Sequence, residues 1–132
     1  MSRRSANNRT LTAQLMLSAY RQGYFPVANE SDEIGFYAYE PRGVIPLDER
    51  FTVRRSVKQA LKKVHWEIRF DTSPRAVLEA CSRQGRVPNR EIWLSSELIE
   101  LYLELFALGV LHTVEVWDAG SEEEKLIGGL YG

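Results

Sequence analysis

The sequence predicts an α/β chain of the α+β kind. It has a small α/β N-terminal portion followed by the order β-α-α-β-β, the first part of a mixed sheet. Three observations carry this. Alternating apolar runs stand at Trp66–Phe70 and His112–Trp117. Stripes of apolar residues at helical spacing follow cap signals at Thr12, Thr52, Ser73 and Ser95 or Ser96. A polar turn, Asp118 to Glu124, then joins the second alternating run to an apolar one, Lys125 to Gly132. Helices carry apolar residues every three to four positions and half-buried strands every second one, so the two patterns separate cleanly.

Taken in order, residues 1–10 read as a disordered polar leader, residues 11–50 as the small N-terminal domain and residues 51–132 as the second unit. Thr12 caps a helix to about Gln22, mostly apolar around its surface, and Gly23 stops it. Tyr24 to Val27 is extended, because a residue before proline avoids the helical region. Residues 28–35 form a polar loop and Phe36–Tyr39 a short aromatic strand. Val44–Leu47 is apolar, but Pro46 demotes it to an edge or a loop. A helix from Thr52 to about Lys63 buries Val53, Val57, Ala60, Leu61 and Val64. Ser73 and Pro74 start a helix to about Ser82, since proline suits the first helical position. Residues 83–91 are a polar loop. The longest helix ends at Gly109 and turns Leu98, Leu101, Tyr102, Leu105 and Leu108 inward.

Composition bounds the function. The 132 residues are 44% hydrophobic and 27% charged, which excludes a wholly disordered, collagen-like or disulfide-stapled chain. One cysteine, Cys81, makes no internal disulfide, so a reducing cytoplasm is the expected setting. No apolar run approaches the ~18 residues of a spanning helix, so no membrane partner is expected. The leader has no apolar stretch of a secretory signal. The net charge of −1 averages two unlike halves: residues 1–70 carry twelve Lys and Arg against seven Asp and Glu, residues 71–132 five against eleven. An acidic partner for the first half is one reading, and two differently solvated faces the other.

Few residues offer catalytic chemistry. Cys81 reads as a small buried hydrophobe or inert thiol rather than a nucleophile. His65 and His112 stand apart from any serine or cysteine motif, and one cysteine with two scattered histidines gives no metal-ligand spacing. Gly128 and Gly129 lack the helix start and lysine of a phosphate loop and mark a bulge or a close approach instead. The basic helix says more. Arg54, Arg55, Lys58, Lys62 and Lys63 lie opposite its apolar stripe, and residues 54, 58 and 62 stack like charges along one ridge with no interleaved acid. Such a ridge tracks a phosphate backbone, or is simply a solvated surface. Tyr24, Phe25, Phe36, Tyr37, Tyr39 and Trp93 cluster in or near loops. Phe25 and Phe36 are expected in the core, whereas Trp93, between a basic loop and a helix start, is the best ligand contact.

Read together, these segments resemble the bacterial leucyl/phenylalanyl-tRNA–protein transferases. The resemblance covers about residues 11–132. It rests on the collinear order of Leu17–Pro26, Phe36–Ile45, Arg55–Lys58, Glu79–Cys81, Ile92–Trp93, Tyr102–Gly109, His112–Trp117 and Gly128–Gly132. It implies an aminoacyltransferase with a small N-terminal domain and an acetyltransferase-like (GNAT-like) second domain. Such an enzyme moves leucine or phenylalanine from aminoacyl-tRNA to the α-amino group of a protein that starts with arginine or lysine, marking it for degradation. It needs no metal or redox cofactor. The resemblance further implies that Trp93 lines the aminoacyl-adenosine pocket and that Arg55, Lys58, Lys62 and Lys63, with Arg54 beside them, hold the tRNA backbone. Val27 stands where the family has tryptophan, and the basic loop is altered, with Arg83, Arg86 and Arg90 around Pro88. The family's catalytic residues follow the Gly-Gly-x-Tyr-Gly motif, so none is assigned within residues 1–132, and the chain alone is expected to be incomplete and inactive. A non-catalytic tRNA-binding module and a gene remnant are the alternatives. An edge strand ending at Gly132 is expected to promote self-association.

Overall fold

The computed structural model describes residues 10–62, 65–83, 93–120 and 122–132. The predicted leader, Lys63, Val64 and the loop arginines Arg86 and Arg90 lie outside these residues. The chain runs α1 (Ala13–Arg21), β1 (Phe25–Ala28), β2 (Ile34–Tyr37), α2 (Arg55–Ala60), β3 (Trp66–Phe70), α3 (Pro74–Ser82), α4 (Ser96–Ala107), β4 (Thr113–Asp118) and β5 (Lys125–Tyr131). β1 and β2 form one antiparallel sheet and β3-β4-β5 another, so the α+β class is as predicted.

Two of the four cap signals act as read; Ser73 takes the N-cap position of α3 without a side-chain cap bond, and Thr52 is no cap, because α2 starts three residues later behind Arg54. Thr12 accepts from the Leu15 N–H at 3.2 Å and Ser95 from the Leu98 N–H at 3.3 Å. Each bond satisfies a backbone donor that the first helical turn leaves free. Gly23 and Gly109 end their helices at φ +82° and +72°, where a side chain would be strained.

The first strand pair sits two residues earlier than predicted, at Ile34–Tyr37 rather than Phe36–Tyr39. The Asn29 side chain accepts from the N–H groups of Ser31 and Glu33, both at 2.9 Å. This closes a short turn, with Asp32 at φ +58°, and sets β1 against β2 with Phe25 opposite Tyr37 and Ala28 opposite Ile34.

One core joins the N-terminal elements to the rest. Ala13, Met16 and Ala28 are buried with Leu78, Leu94, Leu98, Leu101, Tyr102, Leu105 and Leu111. α4 supplies most of it, as its apolar stripe demands, although Leu108 at the end of that stripe is exposed. Phe36 packs against this core as expected. Phe25 does not: it lies on the other side of the hairpin, stacked on Tyr39.

In the second sheet β3 pairs with β4 and β4 with β5, placing Phe70, Val114 and Leu130 in one row. The register slips between Val116 and Trp117, so Ile127 bulges, close to the bulge expected near Gly128. Gly129 admits α3: a Cβ there would stand 3.1 Å from Val77 Cγ1.

The largest correction concerns α2. The predicted buried stripe is not buried. The helix buries no residue and spans Arg55–Ala60 only, with Val57 46% and Leu61 55% exposed. Periodicity gave the apolar side, but burial needs a facing element, and the described residues place none over it.

Leu98 tests the shared core. Replacing this fully buried side chain with alanine removes transfer energy and leaves a cavity, for a cost of roughly 2–5 kcal/mol. Urea denaturation of Leu98→Ala should show that loss without a second transition.

Candidate nucleic-acid interface

The basic side chains of α2 stand in solvent. Arg54 is the N-cap residue, with no side-chain cap bond; Arg55 and Lys58 lie in the helix; Lys62 follows it. All four are exposed, and none forms an ion pair with a described residue. Some other arginines behave differently: Arg50 pairs with Asp48 at 2.6 Å, Arg69 with Glu124 at 2.9 Å and Arg75 with Glu100 at 2.8 Å. Unpaired like charges along one ridge repel one another, and a polyanion relieves that repulsion.

Trp93 is 39% exposed, and its position is fixed through its backbone. Its carbonyl accepts from the Ala28 N–H at 2.8 Å, which attaches the segment before α4 to the edge of β1. On the outer side of that hairpin Phe25 stacks on Tyr39, with ring centroids 5.6 Å apart and planes at 26°. The Arg42 guanidinium sits 5.4 Å from the Phe25 centroid, a cation–π contact.

The sequence did not single out the sheet's polar centre. Glu115 lies in β4 and is fully buried. It accepts from the Ser73 N–H at 2.8 Å, the Thr72 N–H at 3.1 Å, the Thr113 hydroxyl at 2.9 Å and the Trp117 indole N–H at 3.1 Å, and also from the Thr72 hydroxyl. Burial alone would raise this carboxyl, but the hydrogen bonds outweigh it and hold it at about 2. The donors from Thr72 and Ser73 are those that the start of α3 leaves free, so Glu115 caps that helix from a distant strand. The Thr113–Glu115–Trp117 alternation was the available signal, since it puts all three on one face.

Beside it Asp71, at φ +57°, accepts from the Thr113 N–H at 2.7 Å and lies 2.8 Å from His112 Nδ1. His112 and the Thr113 N–H hold the Asp71 carboxyl below its usual range. The His112 ring is exposed, and its hydrogen-bond partner is this aspartate. Burial pushes the Cys81 thiol up, as befits a packing residue. Among the described residues no group of three His, Cys, Asp or Glu could hold a metal ion, and no helix is long and apolar enough to cross a membrane.

Comparison with known proteins places this arrangement. A profile described as leucyl/phenylalanyl-tRNA protein transferase matches residues 44–132. One described as the N-terminal domain of the same transferase matches residues 9–38. The chain is 43% identical over 122 residues to the leucyl/phenylalanyl-tRNA–protein transferase of Herpetosiphon aurantiacus, covering 92% of this chain and 59% of that protein. It is 45% identical over 126 residues to the Akkermansia muciniphila transferase, covering 95% of this chain and 62% of the relative. For Paramagnetospirillum magneticum the identity is 43%, over 94% of this chain and 57% of the relative. The matches thus fall among proteins described as leucyl/phenylalanyl-tRNA–protein transferases. The chain belongs to the leucyl/phenylalanyl-tRNA protein transferase family, and it spans 57–62% of the length of these three relatives.

Glu115 generates a pH test. Its carboxyl sits near 2 in the fold against an ordinary 4.5, so its stabilisation is complete above about 4.5 and is lost as pH falls toward 2. That amounts to on the order of 3 kcal/mol. Denaturation of Glu115→Gln at neutral pH should show a loss of that order, and the variant should lack most of the wild-type decline between pH 4.5 and pH 2.

Proposed function

We propose that this chain acts in leucyl- and phenylalanyl-transfer from aminoacyl-tRNA to proteins. The single observation behind this is the family match over both parts of the chain, residues 9–38 and 44–132. In this reading α2 is the tRNA contact. Arg54, Arg55, Lys58 and Lys62, with Lys63 following, bind backbone phosphates and position the molecule without reading its sequence. Trp93 stacks against the aminoacyl-adenosine end. The reaction is aminolysis. The neutral α-amino group of an acceptor protein, one beginning with arginine or lysine, attacks the aminoacyl ester carbonyl. A tetrahedral oxyanion forms, the tRNA 3′-terminal oxygen leaves with a proton, and the amide remains. The extended protein is thereby marked for degradation. A reducing cytoplasm suits this work and the single half-buried thiol.

A second reading, a non-catalytic tRNA-binding module, is favoured by the same ridge, because its cations need only a phosphate partner. Two measurements separate them. Equilibrium tRNA binding across salt concentrations should weaken steeply for the wild type. Replacing Arg55, Lys58 and Lys62 together with alanine should flatten the log–log slope by roughly two to three units. Transfer of radiolabelled leucine from charged tRNA to an arginine-starting protein, with the C-terminal remainder of a full-length relative added to the chain, then decides: incorporation supports the enzyme, salt-sensitive binding without incorporation supports the module, and absence of both removes the tRNA role; the chain without that remainder is expected to give no incorporation.

We also propose that the chain self-associates through β5, an edge strand whose Leu130 is 68% exposed. Sedimentation velocity should show concentration-dependent oligomers that shrink on Leu130→Lys; a strictly monomeric wild type overturns this.

A further inference from the structure

The outer side of the β1–β2 hairpin carries aromatic surface that the shared core does not use. The pleat divides the hairpin. Pro26, Ala28, Ile34 and Phe36 face the core side. Phe25, Val27, Gly35 and Tyr37 take the other, because neighbouring residues in a strand point oppositely and the register sets Phe25 across from Tyr37. The Tyr37 ring folds back along this outer side over Gly35: a Cβ at Gly35 would stand 2.9 Å from Tyr37 Cε2. Tyr39 continues the surface past the strand end, 53% exposed and stacked on Phe25.

Charge is distributed along the hairpin in a definite way. Glu30, Asp32 and Glu33 gather at its turn, where Asn29 Nδ2 donates to Glu33 at 3.1 Å. Four residues of strand, about 10 Å, separate that turn from the aromatic end. At the aromatic end stands Arg42, over Phe25. It is in no ion pair among the described residues. A flat exposed ring beside a guanidinium group without a carboxylate partner suits an unpaired nucleobase and its phosphate. Stacking accepts any base, and arginine serves the phosphate as a fork.

We propose that the open end of this hairpin, Phe25, Tyr39 and Arg42, is a stacking site for an unpaired RNA base, separate from both the α2 ridge and Trp93. It rests on the tRNA reading but is tested apart from it. The base lies on the free face of Tyr39, Phe25 braces that ring from behind, and Arg42 meets the adjoining phosphate.

The probes are a labelled single-stranded CCA trinucleotide, a hairpin RNA duplex with no overhang, and whole tRNA. Each is titrated against the wild-type chain, Tyr39→Ala, Tyr39→Phe and Arg42→Gln, with thermal melts to show that each variant folds. Tyr39→Ala should weaken trinucleotide binding roughly 5- to 150-fold, the range for loss of one stacked base. It should leave duplex binding and the salt slope unchanged. Tyr39→Phe, which keeps the ring, should bind within about twofold of wild type. Arg42→Gln should lower the salt slope by about one. The proposal is overturned if wild type ignores the trinucleotide, if Tyr39→Ala binds it like wild type, or if duplex binding falls equally. Whole tRNA that still binds through α2 while Tyr39→Ala has no effect removes this site and leaves the tRNA reading intact. Tyr39-dependent trinucleotide binding with an inert α2 does the reverse.

Discussion

A buried carboxylate organises the second sheet. Glu115 stands in the middle strand, without contact to water, and collects donors from β4 itself and from the start of α3. A charge in that position is tolerable only because it is surrounded by donors, and those donors tolerate burial only because of the charge. The arrangement fixes where α3 begins, because Thr72 and Ser73 must reach the same carboxylate. Asp71 takes its left-handed turn one residue earlier and ties the same junction to Thr113 and His112. From there α3 crosses the sheet over Gly129, whose missing side chain makes room for Val77, and α4 packs beyond it around Leu98.

The N-terminal elements are secured differently. They depend on apolar contact with α4 and on a few polar links. The Tyr20 and Tyr102 hydroxyls meet at 2.6 Å, and the Tyr102 ring meets Tyr131 edge-on at 5.1 Å. Burial raises both Tyr20 and Tyr102, so these phenols stay protonated and able to donate. One aromatic chain thus runs from α1 through α4 to β5. α2 sits outside this scheme. It is held by its own backbone bonds, and its cations face solvent with no ion pair among the described residues. A helix that places no residue fully in the core is free to be shaped by a ligand.

Much of this was legible in the sequence where the cause is local. Thr12, Ser95, Gly23 and Gly109 act within one helical turn, so their signals bound α1 and α4 correctly. The β4–β5 hairpin announced itself by alternation on both sides of an acidic turn. The errors lie where the cause is distant. Whether Val57 and Leu61 are covered depends on what faces them, which periodicity cannot report. Half of the role of Glu115 depends on donors forty-two and forty-three residues away in sequence, which the Thr113–Glu115–Trp117 alternation by itself does not reveal. The hairpin fell between: its polar loop was visible, but the Asn29 turn that moves the strand pairing toward Ile34 depends on a single side chain. For the candidate interface, residue type was enough to single out the α2 ridge and Trp93 as candidates, while the stacking of Phe25 on Tyr39 needed the pleat to be known.

The bond from the Ala28 N–H to the Trp93 carbonyl separates address from identity. The main chain at position 93 is located by a strand that knows nothing of the indole, and β1 is in turn located by the core through Pro26 and Ala28. The side chain at position 93 can therefore be exchanged without moving the main chain that carries it, because the bond from Ala28 engages only the carbonyl.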